Sequence, residues 1–83
     1  MKINKYNDKL NIAGAYIKNV RESKLPKMSQ ENLANKLSLK GITLYRNDIH
    51  RIEVGKRTLR DFELIAICEI LGIDINEFKK LID

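Results

Sequence analysis

Apolar residues recur along the 83-residue chain at intervals of three and four positions, the spacing that aligns side chains on one face of an α-helix. The pattern predicts an all-α, compact domain of five short helices, at about residues 10–23, 29–37, 43–55, 61–71 and 74–82. The residues expected to face the core are Leu10, Ala13, Ile17, Val20, Leu33, Ala34, Leu37, Ile49, Ile52, Leu64, Ile67, Cys68, Leu71, Phe78 and Leu81.

Residues that start and stop helices lie between the apolar segments. Ser29 is a favourable N-cap, and Asp74 to Glu77 has the pattern of a capping box that opens the last helix. The glycines placed to end helices in the left-handed conformation are Gly41, Gly55 and Gly72.

The first eight residues show no helical periodicity, so residues 1–8 are expected to be a flexible leader and residues 9–83 the folded domain. Asn7 or Asp8 is available to cap the first helix. Gly14 lies inside that helix, where glycine either costs roughly 1 kcal/mol relative to alanine or allows another helix to approach closely.

The segment 43–55 has an unusual polar face. Ile49 and Ile52 mark its buried side, whereas arginine, asparagine and histidine take the outer positions where Glu and Lys are more common. Arginine fits guanine and asparagine fits adenine in a groove wide enough to admit a helix. The residues on the outer face and its flank are Arg46, Asn47, His50, Arg51 and Val54. Taken alone, this window is more simply an amphipathic helix with a solvated face, and the rest of the chain changes that interpretation.

Three motifs occur in order along the chain: SQExLAxKL at 29–37, IxRIExGKR at 49–57 and LxxICxxLGI at 64–73. Together they resemble the phage repressor and Cro class of helix-turn-helix proteins, also called the xenobiotic-response-element family, over residues 10 to 82. The resemblance implies a lambda-repressor-like fold in which the second and third helices form the helix-turn-helix. It also implies a double-stranded DNA operator as the partner.

The turn between the second and third helices is longer than the family's. Ala34 and Ile49 are 15 positions apart, about five more than the usual motif has. The extra residues fall within 38–44, and they leave two candidates for the N-cap of the third helix. The family register favours Tyr45, whereas capping chemistry favours Thr43.

The resemblance also assigns roles to residues that do not lie on the outer face of the third helix. Gln30 corresponds to a phosphate contact, and Lys56 and Arg57 correspond to a loop that runs along the sugar-phosphate backbone. Tyr45 is expected to be a further phosphate contact. Arg21 and Glu53 correspond to a structural ion pair. The complete set of candidate DNA-binding residues is Gln30, Tyr45, Arg46, Asn47, His50, Arg51, Lys56 and Arg57, although a lone histidine such as His50 is more often a bystander.

Charge is divided unevenly along the chain. Residues 1–60 contain 14 basic and 5 acidic residues, a balance of +9, whereas residues 61–83 contain 2 basic and 6 acidic residues, a balance of −4. This division of the net charge of +5 favours a polyanionic partner for the first part. A solvated basic surface unrelated to nucleic acid is the alternative.

Several classes of protein do not fit the composition. The single cysteine, Cys68, has no partner for an internal disulfide, and one histidine is too few for a zinc site, so no metal or cofactor is expected. No apolar run approaches twenty residues, and no apolar stretch follows the charged start. We therefore expect a cytoplasmic protein without a membrane span.

These observations predict a sequence-specific DNA-binding transcriptional regulator, most simply a repressor, and not an enzyme. A homodimer on a pseudo-palindromic operator is expected because one small motif rarely supplies enough specificity. The candidates for the dimer interface are Phe62, Ile65, Leu81 and Ile82. The alternative is a protein-binding module, such as an antitoxin or accessory factor, in which DNA binding is secondary.

Overall fold

The computed structural model describes residues 4–82, and this part of the chain is all-helical. It contains four α-helices and a closing 3₁₀ helix: α1 Gly14–Ser23, α2 Gln30–Leu39, α3 Arg46–Glu53, α4 Asp61–Leu71 and the 3₁₀ helix Ile75–Leu81. The all-α prediction is confirmed for these residues. Residues 1–3 of the expected leader, and Asp83 of the expected domain, lie outside the described residues.

The first helix begins at Gly14, four positions later than its apolar periodicity predicts. Asn7 and Asp8 have φ angles of 49° and 66°, and they form a tight turn closed by reciprocal backbone hydrogen bonds of 2.9 Å between Tyr6 and Lys9. Neither residue caps α1. The side-chain oxygen of Asn11 instead accepts a hydrogen bond of 2.7 Å from the Gly14 N–H.

The second helix has the predicted N-cap. The Ser29 hydroxyl accepts from the Asn32 N–H at 3.0 Å, while the Asn32 side chain accepts from the Ser29 N–H at 3.2 Å. The helix ends at Leu39, Gly41 follows with a φ of 81°, and the Ile42 N–H donates to the Leu37 carbonyl at 3.0 Å. Left-handed glycine with this bonding is a Schellman ending, which satisfies carbonyls left free by the helix.

The connection from α2 to α3 is a loop anchored in the core. Leu44 is buried and Ile42 is partly buried, whereas Leu39 is 88% exposed. The third helix then begins after Tyr45, whose N–H donates to the Asp48 carboxylate at 2.9 Å. Tyr45, and not Thr43, is therefore the N-cap.

The helices enclose one core of buried apolar residues. Helix α3 packs against both α1 and α2, and α4 packs against the same two helices. The radius of gyration is 12.4 Å, close to the value of about 12 Å for a folded domain of this length. The buried apolar residues are Ala13, Ile17, Leu33, Ala34, Leu37, Leu44, Ile49, Ile52, Ala66, Ile67, Cys68, Leu71 and Phe78.

The closing helix differs from the expected α-helix in its 3₁₀ geometry. The Asp74 carboxylate accepts from the Asn76 N–H at 2.9 Å, while Glu77 pairs with Lys80 at 2.9 Å. Phe78 is buried and meets Tyr16 of α1 edge to face, with ring centroids 5.4 Å apart. Leu81, expected in the core, is exposed. Among residues 4–82 we find no helix with the length and apolar character that crossing a membrane requires.

Candidate nucleic-acid interface

Helix α3 lies at the surface with its isoleucines inward. Ile49 and Ile52 are each 1% exposed, and they anchor the helix in the core. The five candidate residues at its start and on its outer face are all exposed: Tyr45, Arg46, Asn47, His50 and Arg51. Val54, which was also expected on the outer face, is partly buried. The structure thus presents a contiguous polar helix face to solvent.

Arg51 is held by Asp48 one turn earlier. Its Nη2 contacts the Asp48 Oδ1 at 2.6 Å, and the arginine side chain is 55% exposed. The Tyr45 backbone N–H and the Arg51 side chain, in that order of importance, lower the pKa of the Asp48 carboxyl below its usual range. An exposed pair of this kind contributes less than about 1 kcal/mol. Another anion or a base edge can therefore compete for Arg51.

A buried ion pair joins α1 to α3. Arg21 donates from Nε to Glu53 Oε2 at 2.7 Å and from Nη2 to Glu53 Oε1 at 2.9 Å. Its Nη1 donates to the Met28 carbonyl at 2.8 Å. The hydrogen bonds to Glu53 raise the pKa of the Arg21 guanidinium above its usual value. Two parallel bonds between a guanidinium and a carboxylate fix both distance and angle.

Gln30 takes part in this internal network. Its Nε2 donates to Glu53 Oε1 at 2.9 Å, and the residue is only partly exposed. One of the two side-chain N–H groups is therefore engaged inside the protein, and one is left for an outside acceptor. The network links the start of α2 to the end of α3.

The loop after α3 separates the two cations of the GKR sequence. Gly55 has a φ of 80°, and the Lys56 N–H donates to the Arg51 carbonyl at 2.8 Å, which completes a Schellman ending. Lys56 is exposed. Arg57 turns inward, and its Nη1 and Nη2 donate to the two carboxylate oxygens of Glu63 at 2.9 and 3.2 Å.

Glu63 is a residue that the sequence pattern did not single out. Its side chain is 2% exposed, and its Oε1 accepts from the Arg60 N–H at 3.0 Å, which caps α4. Burial alone would raise the pKa of this carboxyl, but hydrogen bonds from Arg57 and from the Arg60 N–H outweigh burial and lower it. The capping pattern, a carboxylate three residues after the N-cap, was the available signal.

The fold also brings together cations that are far apart in sequence. Lys18 of α1, Lys27 of the following loop and Arg46 of α3 line one open cleft beside the start of α2. Glu22 and Glu31 line the same cleft. A second groove, between α2 and the start of α3, is lined by Asn35, Ser38, Thr43, Tyr45 and Asn47, among others. Sequence periodicity could not place Lys18 and Lys27, or the side chains of α2, beside α3.

The remaining candidates lie elsewhere on the surface or in the core. Phe62 and Ile65 of α4, and Leu81 and Ile82 at the end of the chain, are all exposed. Cys68 is buried, and burial raises the pKa of its thiol. Within residues 4–82 there is no group of three or more His, Cys, Asp or Glu side chains that could hold a metal ion.

Comparison of the chain with protein-family models, with curated proteins and with solved structures finds no match.

Proposed function

We propose that this protein is a sequence-specific double-stranded DNA-binding transcriptional regulator, and that it acts as a repressor by occupying an operator. In this proposal α2 and α3 act as a helix-turn-helix of the phage repressor and Cro type, and α3 enters the major groove. The observation that carries the proposal is the outer face of α3. Arg46, Asn47 and Arg51 are exposed there, while Ile49 and Ile52 hold the opposite face in the core.

Base recognition belongs to that face. Arginine and asparagine make bidentate contacts with guanine and adenine, and each good pair contributes about 1–3 kcal/mol of discrimination. Arg46, Asn47 and Arg51 are the proposed readers, with His50 as a further candidate. Arg51 exchanges its contact with Asp48 for a base edge when the complex forms.

Phosphate contacts orient the protein on the duplex. Tyr45, Lys56 and the free N–H of Gln30 are the proposed donors, together with Lys18 and Lys27, which line the cleft beside Arg46. Arg57 was expected among these residues, but its guanidinium is engaged by Glu63. Its proposed role is to support the loop that carries Lys56.

The proposed active form is a homodimer on two half-sites about 10 base pairs apart, or a multiple of that spacing. The support is the exposed apolar surface of Phe62, Ile65, Leu81 and Ile82. These residues lie in the acidic part of the sequence, residues 61–83.

A protein-binding module, such as an antitoxin or accessory factor, is the second candidate. Leu25 and Leu39, beside and at the end of α2, are 96% and 88% exposed. Isolated exposed leucines are ordinary on protein surfaces, so this observation favours a protein partner only weakly compared with the face of α3.

Selection of bound fragments from random duplex DNA tests the proposal. We expect a consensus sequence to emerge, and binding to it to weaken steeply as salt increases because bound phosphates release counterions. Single-stranded DNA of the same composition serves as the control. Failure to retain any duplex at low salt would overturn the proposal and favour a protein partner.

A further inference from the structure

The segment before α1 holds the carboxyl end of α3. The Leu10 N–H donates to the Gly55 carbonyl at 2.8 Å, and Lys9 Nζ donates to the Val54 carbonyl at 3.3 Å. The methylene groups of Lys9 lie against Gly55, where a side chain on residue 55 would collide with them. Lys9, at the start of the expected domain, and Leu10, expected in the first helical turn, thus form a contact surface for the loop after α3.

Asn11 makes the most extensive contact in this segment. Its Nδ2 donates to the Ile52 carbonyl at 3.0 Å and to the Arg57 carbonyl at 2.8 Å, while its Oδ1 accepts from the Gly14 N–H. Both amide hydrogens of the side chain are therefore used. The two carbonyls lie on opposite sides of Gly55 in the chain. One side chain consequently ties both ends of the Gly55 turn to the first residue of α1.

The loop is held from its other side as well. The Arg57 side chain points inward to Glu63 on α4. The Arg57 carbonyl accepts a hydrogen bond from Asn11, while its guanidinium donates hydrogen bonds to Glu63. Lys56, between Gly55 and Arg57, remains exposed. A loop that is already ordered loses less conformational freedom when it binds, which increases its affinity for a partner.

We propose that Asn11 is a positioning residue for phosphate binding by the loop at residues 55–57, and that it acts through Lys56. This inference rests on the proposed function. Asn11 orders the turn before DNA arrives, and Lys56 makes the contact. Since phosphate contacts carry no sequence information, Asn11 contributes equally to binding of operator and random DNA.

A double-mutant cycle on DNA affinity tests this role. We expect Asn11→Ala to weaken binding to operator and to random duplex by the same factor, roughly threefold to tenfold, the equivalent of about one hydrogen bond. In a Lys56→Ala background the effect of Asn11→Ala should fall to less than half, because residues that act together are not additive. Asn19→Ala, at an exposed asparagine of α1, is the matched control and should leave affinity unchanged.

Amide hydrogen exchange measures the same effect without DNA. Asn11→Asp keeps an acceptor for the Gly14 N–H but has no donor for the carbonyls of Ile52 and Arg57. This variant therefore distinguishes the effect of capping α1 from the effect of holding the loop. We expect exchange at Gly55 and Lys56 to become faster in Asn11→Asp and in Asn11→Ala, while exchange in α2 stays unchanged.

Two results would overturn the role of Asn11. One is amide hydrogen exchange at residues 55 and 56 that is the same in the Asn11 variants as in wild type. The other is a double variant whose loss of DNA affinity equals the product of the losses caused by Asn11→Ala and Lys56→Ala alone. A protein that bound no duplex DNA at all would instead end the proposed function and this role together. A protein that bound duplex DNA, but in which Asn11→Ala and Lys56→Ala acted independently, would contradict the role of Asn11 alone.

Discussion

Arg57 and Glu63 form a two-bond contact, at 2.9 and 3.2 Å, between the loop after α3 and the first turn of α4. Glu63 is almost completely buried, while the Arg57 side chain is 18% exposed. The same carboxylate accepts from the Arg60 N–H and so caps the helix. A single acidic side chain therefore determines both where α4 begins and how the preceding loop is folded.

Replacing Glu63 by Gln should destabilise the protein by about 2 kcal/mol, the size of a hydrogen-bonded contact to a charged group. The amide keeps the shape of the side chain but removes the charge that faces Arg57. Urea unfolding at pH 7 measures the difference. Glu69→Gln, at an exposed position of the same helix, should change stability by less than about 0.5 kcal/mol.

The contribution of Glu63 should depend on pH in a defined direction. Its folded-state pKa lies below the ordinary value of 4.5, so the ionised form is favoured by folding. The resulting stability is complete above the unfolded pKa and is lost as pH falls through the folded pKa. The gap between wild type and Glu63→Gln should therefore narrow below pH 4.5. A gap that stays constant from pH 7 down to pH 2 would contradict this assignment.

Replacing Arg21 by Ala should cost roughly 3 kcal/mol, because it leaves the Glu53 carboxylate buried without its main partner. For a domain of this size that corresponds to a fall in Tm of roughly 12–24 °C. Lys18→Ala, at an exposed position of the same helix, should have little effect. Replacing both Arg21 and Glu53 by Met should be less damaging than Arg21→Ala alone. Equal Tm values for Arg21→Ala and wild type would rule out a stabilising role for the pair.

Gly14→Ala should destabilise the protein by about 1–3 kcal/mol, as overpacking of a tight contact does. A Cβ on residue 14 would overlap the backbone carbonyl of Ile52, which cannot move without shifting α3. At the neighbouring exposed position, Ala15→Gly should also destabilise, by roughly 1 kcal/mol, through helix propensity. Thermal unfolding of the two variants compares the positions. Greater stability of Gly14→Ala would mean that α1 and α3 are not in close contact there.

Arg51→Ala should lose about 1–3 kcal/mol of operator affinity while changing random-DNA affinity little, and Asn47→Ala should behave similarly. Lys56→Ala should weaken both complexes alike and reduce the salt slope by about 1. Fluorescence anisotropy with labelled duplexes at several salt concentrations separates these behaviours. Lys79→Ala, an exposed cation in the acidic part of the chain, is the control. If Arg51→Ala lowered the affinity for operator and for random DNA equally, Arg51 would not be a residue that recognises bases.

Ile65→Glu should shift the proposed dimer to monomer, since a charge placed in an apolar interface is costly to bury. Ile65 is exposed on α4, so the fold itself should tolerate the change. Sedimentation at micromolar concentration measures the mass, and circular dichroism checks the helices. Leu39→Glu provides a matched apolar-to-charged change on α2. A wild-type protein that stayed monomeric both free and on DNA would contradict the proposed dimer.

Local sequence signals predicted much of the fold. Ser29 caps α2 as expected, α4 spans residues 61–71 as expected, and the three glycines at helix ends all have positive φ angles. Each of these features depends on residues within one helical turn of one another. Arg21 and Glu53, 32 positions apart, are also in contact, but their pairing was anticipated from a family resemblance and not from spacing.

Features that depend on tertiary contacts were not predictable in this way. The start of α1 is delayed because residues 9–11 bond to the end of α3, more than forty positions away. Arg57 faces inward because α4 returns Glu63 to the loop, which the count of basic residues could not reveal. The sequence left two interpretations of Gly14, a loss of helix stability or a close approach of another helix. Only its contact with Ile52 shows that the second applies.

The burial of Leu44 means that the connection between α2 and α3 has a fixed inner side and a free outer side. Length added on the exposed side can bulge into solvent while Leu44 keeps the entrance to α3 in place. An extra segment in this connection therefore alters the periphery of the molecule and leaves the orientation of its polar helix intact.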